Sequence, residues 1–296
     1  MKRTVQCLPR EGGYNFLFNS MASPCEVLID CGDKFIAEKV ANAVAKEAWR
    51  IEDKYSRYNT DSVCGQLNAQ AGKACSIDNE TYLLLQFAEQ CYQMSDGLFD
   101  ISSGILRKAW RFDGSSNIPT QAAINALLPF IGWSKTSLTA SVFQMQAHME
   151  IDLGGLGKEY AVDKAILLAR TITEAPVLIN FGGDIAVTGP RANNAPWFVG
   201  IEHPSLAQQN HIMVKIAQGA IATSGDANRF LLHNGKRYGH VLNVKTGWSV
   251  ENPPNAITVA APQCIQAGFL ATLALLQGEH AETFLQEQAI KHWSIR

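Results

Sequence analysis

Apolar residues recur every three or four positions across the segment Lys34–Tyr55, and charged residues lie between them. This period predicts an amphipathic helix whose apolar face lies on a core. A similar stripe predicts a second helix over residues 80–95, with Asp78 or Asn79 as its N-cap and Gly97 beyond its C-terminal end. Further helices are predicted at residues 121–128, 158–172, 264–276 and 280–290.

Runs of β-branched and aliphatic residues between these segments predict strands. The clearest are residues 25–29 and the strongly apolar run 176–181, and others are expected at residues 137–144, 149–153, 197–202, 212–217 and 256–261. The strands are too few per helix for a sandwich and alternate too irregularly with helices for a barrel. The pattern predicts an α+β fold with mixed sheets and packed helices. We expect one domain over residues 1–296, with residue 120 as the alternative place for a subdomain boundary.

Composition excludes several classes of protein. The chain has 296 residues, of which 47% are hydrophobic and 18% charged, and such usage is typical of globular rather than disordered or fibrous chains. The net charge of −2 gives no general attraction for nucleic acid or for an anionic membrane. No apolar run approaches the roughly 20 residues of a membrane span. We therefore expect no nucleic-acid partner and no membrane anchor.

The N-terminal segment and the cysteines favour a cytoplasmic protein. Residues 1–16 carry positive charge but no apolar stretch follows, and Cys7 lacks the apolar lead-in of a lipid-attachment cysteine, so neither a signal peptide nor a lipobox is expected. The seven cysteines are scattered, and no two lie two to four residues apart. Zinc-knuckle and CxxC redox sites are therefore excluded. Reduced, mostly buried thiols are predicted instead.

The most informative motif runs from Asp152 to Tyr160 and holds three glycines just before the predicted helix at 158–172. Glycines at such a place let backbone N–H groups face a bound anion, and the helix start adds partial positive charge. Lys158, in the first helical turn, can reach the same anion. Two interpretations stay open, a phosphate site and a plain strand-to-helix turn. The spacing matches neither the P-loop nor the GxGxxG of dinucleotide folds.

Five other segments have both a structural and a functional interpretation. The turn at residues 180–184 is either a bulge or hairpin or a ligand contact. The small and hydroxylated segment 222–226 suits either a turn or a close ligand approach. His240 lies in a predicted strand that ends in a turn, where it is either structural or functional. Aromatic residues flank a cation at 55–58 and 110–112, where they either stack on a planar ligand or fill the core.

Taken in order, these segments resemble the FAD:protein FMN transferases, the ApbE family, over nearly the whole chain. The similarity begins at Met21 and its most specific piece is the run from Asp152 to Asp163. The remaining matching blocks are residues 55–62, 67–68, 95–101, 106–112, 180–184, 222–225, 240–247 and 271–272.

The resemblance implies an α+β, T-fold-related architecture whose cleft holds FAD. It also implies that a threonine or serine hydroxyl of a target flavoprotein attacks the FMN-side phosphorus of FAD, with Mg²⁺, and that AMP leaves. It implies metal ligands in the backbone of Gly155 and the hydroxyl of Thr272, and we assign His240, near the diphosphate, as base or proton relay. The residues implied to line the nucleotide are Met21, Tyr58, Trp110, Arg111, Phe112, Asp152, Lys158 and Val241.

Two positions depart from the family pattern. Gly268 stands where the family has a metal-binding aspartate, and Mg²⁺ normally takes at least one carboxylate. Either another acid such as Asp226 replaces that carboxylate, or the protein binds FAD as a carrier or sensor without turning it over. A third alternative is an FAD diphosphatase, in which water is the acceptor. The second departure is Glu159, which replaces the usual glycine after the lysine and adds negative charge near the phosphates.

Overall fold

The computed structural model describes residues 3–113, 115–201, 212–225 and 230–296. Its α-helices are α1 (Lys34–Tyr55), α2 (Val63–Ala69), α3 (Asn79–Met94), α4 (Gln121–Leu127), α5 (Gly157–Ile172), α6 (Cys264–Leu276) and α7 (Ala281–Glu287). Its strands are β1 (Gln6–Arg10), β2 (Gly13–Ser20), β3 (Ser23–Ile29), β4 (Cys75–Ser76), β5 (Thr136–Leu138), β6 (Val142–Met145), β7 (Val177–Phe181), β8 (Asp184–Val187), β9 (Trp197–Ile201), β10 (Ile212–Ile216), β11 (Ala220–Gly225), β12 (Phe230–His233), β13 (Lys236–Gly239), β14 (Ala256–Ala261) and β15 (His292–Ile295).

Eight strands form the main sheet, in the order β1-β2-β3-β7-β8-β11-β14-β15. The α+β class is confirmed, but the sheet is not mixed, because every neighbouring pair among the described strands is antiparallel. The physical reason is that two-residue turns join several neighbours, and such turns connect antiparallel strands only. Met21 and Ala22 form one of them and Gly182 and Gly183 another, all four with positive φ.

The centre of the main sheet is covered on both faces, which explains the continuous apolar run of β7. Val177, Ile179 and Phe181 face the helical layer formed by α1, α5 and α6. Leu178 points to the other face and packs with Trp197 of the β9–β10 ribbon. Alternate residues of one strand thus enter two cores, and within β7 only Asn180 is not fully buried.

The helix predictions are confirmed in most of their bounds. α1 and α6 match the predicted ranges, and the carboxylate of Asp78 caps α3 by accepting the Thr81 N–H at 2.8 Å. The predicted last helix is shorter, because a 3-10 turn precedes α7 and Ala289 adopts positive φ soon after its end. Among the described residues, no helix combines the length and the apolarity that crossing a bilayer requires.

Three strand predictions are wrong. Residues 149–153 form no strand, because Asn68 rather than a neighbouring strand takes the backbone hydrogen bonds of Ile151: its amide oxygen accepts the Ile151 N–H at 2.8 Å and its amide N–H donates to the Ile151 carbonyl at 2.9 Å. Residues 137–144 are split by a turn into parts of the short strands β5 and β6. His240 follows the last residue of β13 and is not inside a strand.

A second hydrophobic cluster packs the 3-10 helix Ile101–Lys108 against α4 and the β12–β13 hairpin. Its buried members include Leu106, Trp110, Ile124 and Leu231. This cluster places the aromatic segment 110–112 beside the residues that follow β13. The aromatic block and the His240 block, which are far apart in the chain, therefore become neighbours.

Candidate active site

The loop from Asp152 to Gly157 leads directly into α5. The Asp152 carboxylate accepts the Gly154 N–H at 2.9 Å, and the Leu153 carbonyl accepts the N–H groups of Leu156 at 3.0 Å and Gly157 at 2.7 Å. No side chain caps the start of α5 at Leu156. The loop is therefore a tight turn. It also leaves the N-terminus of α5 without a side-chain cap, which is compatible with the binding of an anion there.

Arg57 joins two of the residues assigned to the nucleotide. Its guanidinium pairs with the carboxylate of Asp152, lies 4.9 Å from the centre of the Tyr58 ring, and donates to the Tyr58 hydroxyl at 2.8 Å. The Asp152 backbone N–H donates to the Ile101 carbonyl at 2.9 Å, which fixes the loop on the 3-10 helix. Tyr58 is 80% exposed, so its ring is open to a ligand.

Lys158 brings the two glycine turns together. Its ammonium lies 2.8 Å from the carboxylate of Asp184, whose side chain is 1% exposed. A Cβ at Gly182 would lie 3.8 Å from the same ammonium and 2.7 Å from the side chain of Ser23. Gly182 has φ of +61°, so that turn requires glycine both for its backbone conformation and for the close approach of Ser23.

Burial controls the charge states around this pair. Burial, and after it the negative charge of Asp184, raises the pKa of Glu159 above its ordinary value. Burial also raises the pKa of Asp184, although the Lys158 ammonium opposes that change. Burial acts to lower the pKa of Lys158, but the charges of Asp184 and Glu159 outweigh it and the pKa rises. Lys158 therefore stays protonated at neutral pH.

Hydroxyl-bearing residues of β11, β14 and α6 connect to the Lys158–Asp184 pair through Thr223. The Thr223 N–H donates to the Asp184 carboxylate at 3.4 Å, and the hydroxyls of Thr223 and Thr258 lie 2.8 Å apart. The Thr272 hydroxyl donates to the Ser224 hydroxyl at 3.1 Å. The structure thus joins three blocks of the resemblance: the glycine turn before Asp184, the small residues of β11, and Thr272 of α6.

The helices α5 and α6 pack antiparallel, and Glu159 meets Gly268 between them. The Asp163 carboxylate accepts the N–H groups of Cys264 at 2.8 Å and Ile265 at 2.9 Å, which anchors the start of α6. One turn further along α6, a Cβ at Gly268 would lie 2.6 Å from Cγ and 2.8 Å from Oε1 of Glu159. Gly268 offers no side-chain ligand, and the Glu159 side chain fills the space beside it.

The position of Gly155 is linked to α6 through the ring of Phe99. A Cβ at Gly155 would be 3.7 Å from the ring of Phe99. That ring packs edge-on against Phe269 with centroids 5.4 Å apart. Phe99 thus connects the loop that holds Gly155 to α6, the helix that carries Thr272.

Met21 lies at the same end of the main sheet. It forms the β2–β3 turn with φ of 51°, and its N–H donates to the Glu52 carboxylate at 2.8 Å. Ser23, two residues later, packs on Gly182 beside the Lys158 ammonium. The first block of the resemblance therefore adjoins the glycine turns.

The aromatic segment contacts His240. The rings of Trp110 and Phe112 are stacked, with centroids 5.6 Å apart and planes 2° from parallel. The rings of Phe112 and His240 lie nearly perpendicular, with centroids 6.2 Å apart. Trp110 is 3% exposed and its indole N–H donates to the Gly247 carbonyl at 2.8 Å. Trp110 thus fills the core, while Phe112 connects that core to His240.

The sequence also named Arg111, Val241 and Asp226 for this site. Arg111 is exposed. Val241 is half-buried against the main core, and its carbonyl accepts the Val250 N–H at 3.1 Å. Asp226, the acid considered as a replacement for the missing carboxylate, lies outside the described residues.

A metal ion at this site would depend on oxygen donors of several kinds. Within the described part of the chain, no three His, Cys, Asp or Glu side chains form a metal-binding group. The carboxylate of Glu159, the hydroxyl of Thr272 and the backbone of Gly155 are nevertheless hard oxygen donors, the type that Mg²⁺ prefers. One carboxylate oxygen of Glu159, Oε2, is buried with no hydrogen-bond partner among the described residues. The donor set therefore fits a hard divalent cation.

Sequence comparison identifies the family. The sequence model of the ApbE family matches residues 21–292. The chain belongs to the ApbE family. The FAD:protein FMN transferase of Klebsiella pneumoniae (strain 342) is 28% identical to this ApbE chain over 267 residues, covering 88% of this chain and 81% of the relative. The protein of the same name from Vibrio cholerae is 25% identical over 235 residues, covering 77% and 70%.

Solved structures support the same ApbE fold. The ApbE protein of Thermotoga maritima superposes with a TM-score of 0.85 at 24% identity, covering 99% of this chain and 94% of that one. The apo form of the flavinyl transferase ApbE of Pseudomonas stutzeri gives a TM-score of 0.78 at 22% identity, covering 100% and 92%. Membership confirms the resemblance and makes the protein an enzyme of a transferase family.

Three residues of the site in this ApbE chain were not assigned from the sequence. Arg57 binds Asp152, Asp184 binds Lys158, and Glu159 meets Gly268. The signal for Glu159 was present in the sequence, because the family pattern gains an acid at 159 and loses one at 268. Only the packing of α5 on α6 shows that these two departures concern the same space.

Proposed function

We propose that this protein transfers the FMN moiety of FAD to a threonine or serine hydroxyl of a target flavoprotein, releases AMP, and requires Mg²⁺. The observation that carries the proposal is the convergence of the glycine turns on the Lys158 ammonium at the start of α5. A diphosphate must have its charge offset before an oxygen can attack it. A lysine and a helix N-terminus suit that purpose.

The nucleotide would extend from this diphosphate site along the residues of the family pattern. Tyr58 supports this placement because its exposed ring is held by Arg57, which also holds Asp152. Exposed Arg111 and half-buried Val241 are assigned to the same ligand. Met21 is assigned to it too, because it adjoins the glycine turn beside Lys158.

The chemical step is a phosphoryl-type substitution. The acceptor oxygen attacks the FMN-side phosphorus, a new phosphoester bond forms, and the bond from that phosphorus to the bridging oxygen breaks. AMP leaves with the bridging oxygen. The acceptor proton passes to His240, which we assign as base or relay. The ring of Phe112, which stacks on Trp110, contacts the His240 imidazole and places it beside the aromatic segment assigned to the nucleotide.

Mg²⁺ would be held by the backbone of Gly155 and the hydroxyl of Thr272, together with a carboxylate. A divalent cation supplies Lewis-acid stabilisation of negative charge on phosphate oxygens. The chain's own contribution is to orient these donors, because the loop before α5 and the helix α6 are fixed to each other through Phe99 and the Asp163 cap.

The decisive experiment incubates the protein with FAD, Mg²⁺ and a flavoprotein that bears an acceptor threonine. Covalent flavin on the acceptor, detected by mass spectrometry together with AMP, supports the transferase. AMP and free FMN without labelled acceptor would indicate the diphosphatase instead. FAD bound tightly and recovered intact, with a verified acceptor present, would indicate the carrier or sensor.

Variants connect the outcome to the site. Lys158→Met should abolish labelling and weaken FAD binding, since it removes the cation between the glycine turns. His240→Gln should slow labelling but leave FAD binding intact. His280→Gln is the matched control, because that imidazole is 77% exposed and lies at the start of α7, away from the cluster. Loss of labelling in the His280 variant would contradict the assignment of His240.

We place the reaction in the cytoplasm. The seven cysteines are all free, and four of them are buried, a usage that suits a reducing compartment. Fractionation of cells that express the tagged protein at its natural level tests this, and recovery with the periplasmic or membrane fraction would contradict it.

A further inference from the structure

The Glu159 carboxylate is buried without a complete set of partners. The residue is 8% exposed, and its Oε2 has no hydrogen-bond partner among the described residues. A buried acceptor that lacks a partner costs about 1–3 kcal/mol. A ligand that contacts Oε2 of Glu159 would remove this cost.

Glu159 and Asp184 are two buried acidic side chains close to one lysine. Asp184, 1% exposed, shares its region with Glu159, and the Lys158 ammonium already lies 2.8 Å from the Asp184 carboxylate. Among the described residues, these two carboxyl groups share one lysine, which lies against Asp184, and Oε2 of Glu159 is left without a partner. A buried carboxylate is tolerated when it is paired or when it binds a metal, so a cation suits Glu159 as the missing ligand.

The register of the two helices places Glu159 beside Gly268. Asp163 binds the N–H groups at the start of α6, and Glu159, one turn earlier on α5, meets Gly268, one turn later on α6. Gly155 lies four residues before Glu159, in the loop that leads into α5, and Thr272 lies four residues after Gly268 on α6. The Phe99 ring contacts both the Gly155 position and α6, and so connects these two segments.

We infer that Glu159 is the charged ligand of a divalent cation bound where α5 crosses α6, and that it supplies from α5 the carboxylate that Gly268 cannot supply from α6. The Cβ direction at Gly268 points at the Glu159 carboxylate, so an acid at either position would place its oxygens in one space. This inference deepens the proposed function and rests on it for the role of the metal. The chain then keeps the metal site without an acid on α6.

The first test measures metal binding and not catalysis. Mn²⁺ is titrated into the full chain by calorimetry, with and without bound FAD, and free Mn²⁺ is counted by electron paramagnetic resonance. Glu159→Gln keeps the shape of the side chain and should weaken Mn²⁺ binding by about tenfold or more, comparable to the loss of a metal-site contact. Exposed Glu287→Gln on α7 should bind Mn²⁺ like the parent. Parent-like affinity in folded Glu159→Gln, in both conditions, overturns the inference.

The second test moves the carboxylate from one helix to the other. Glu159→Gly should lose Mn²⁺ affinity, and the double variant Glu159→Gly/Gly268→Asp should recover most of it, because the carboxylate introduced on α6 would enter the vacated space. Thermal unfolding without metal checks that each variant is folded. A folded double variant that binds Mn²⁺ no better than Glu159→Gly overturns the placement.

These measurements separate this inference from the proposed function. If Mn²⁺ binding depends on Glu159 while no acceptor is flavinylated, the inference stands and the transferase fails. If Glu159→Gln flavinylates the acceptor at the parental rate, the transferase stands and the inference fails.

Discussion

The side chain of Glu159 occupies the space that a side chain at Gly268 would need, with its Cγ 2.6 Å from the Cβ position. The two residues come from α5 and α6, and the Asp163 cap holds these helices in the register that brings them together. A buried acid and a helical glycine, each unusual alone, are therefore complementary in shape. The effect of substituting one of them on the stability of the protein should depend on which residue stands at the other position.

Gly268→Ala should destabilise the protein, although alanine is the better helix former. Its methyl group would enter the space of Glu159 Cγ, and such overpacking costs about 1–3 kcal/mol. In a Glu159→Ala background that contact is absent, so the same substitution should stabilise by up to about 1 kcal/mol through helix propensity.

Urea denaturation of the four proteins measures this reversal of sign. Additive effects of the two substitutions would contradict the contact between Glu159 and Gly268.

Lys158→Met should lower the free energy of unfolding by about 3 kcal/mol, because it leaves the buried Asp184 carboxylate without its cation. Asp184→Asn should cost less, since the Lys158 side chain is 25% exposed and can reach water. The measurement is equilibrium unfolding in urea, with exposed Lys39→Met on α1 as the control. A larger loss for Asp184→Asn than for Lys158→Met would contradict this account.

The ion-pair cluster around Glu80 should make stability depend on pH. Hydrogen bonds from Arg50, and after them from Lys54 and Tyr160, lower the pKa of Glu80 to about 2. A carboxylate whose pKa is lower in the folded state stabilises it above the unfolded pKa, and that stabilisation is lost as pH falls from about 4.5 towards 2. Glu80→Gln should therefore be less stable than the parent at pH 7, and the difference should shrink on acidification.

We expect a difference of about 1 kcal/mol at pH 7, because solvent screens the partly exposed Arg50. Melting temperatures from pH 7 down to pH 3 check it. Exposed Glu174→Gln is the control. A difference between Glu80→Gln and the parent that grows on acidification would have the wrong sign.

The cysteines should divide into two classes of reactivity. Burial raises the pKa of Cys25, Cys64 and Cys91 to about 12 and that of Cys264 well above its ordinary value. Since the thiolate is the reactive form, these four should resist iodoacetamide at pH 8 in the native protein. The half-buried cysteines that should react are Cys7, Cys31 and Cys75.

Mass spectrometry of native and urea-unfolded protein counts the modified thiols. Rapid labelling of Cys64 in the native protein would contradict the packing described here.

Local pattern was sufficient for the bounds of helices with a clear apolar stripe, such as α1, or with a nearly continuous apolar sequence, such as α6. The bounds of α1 and α6 follow from apolar periodicity and apolar content, and the Asp78 cap follows from the preference of acids for that position. The order of the motif blocks was also sufficient for the family, which the match over residues 21–292 confirms. Lys158 was singled out by its place at a glycine-rich helix start.

The tertiary structure decided what depends on contacts between distant segments. Residues 149–153 have a strand-like composition, but the Asn68 side chain takes the hydrogen bonds of Ile151 and no strand forms. The pairing of Arg57 with Asp152 likewise required the fold.

The sequence by itself determined the α+β class, most helices, the family, and the two departures at Glu159 and Gly268. It could not determine that these departures meet, because side-chain period specifies which face of a helix is buried but not what lies against it. The antiparallel register of α5 and α6, held by Asp163, decided that. Packing is a relation between elements, and here it places an acid of one helix beside the glycine of another.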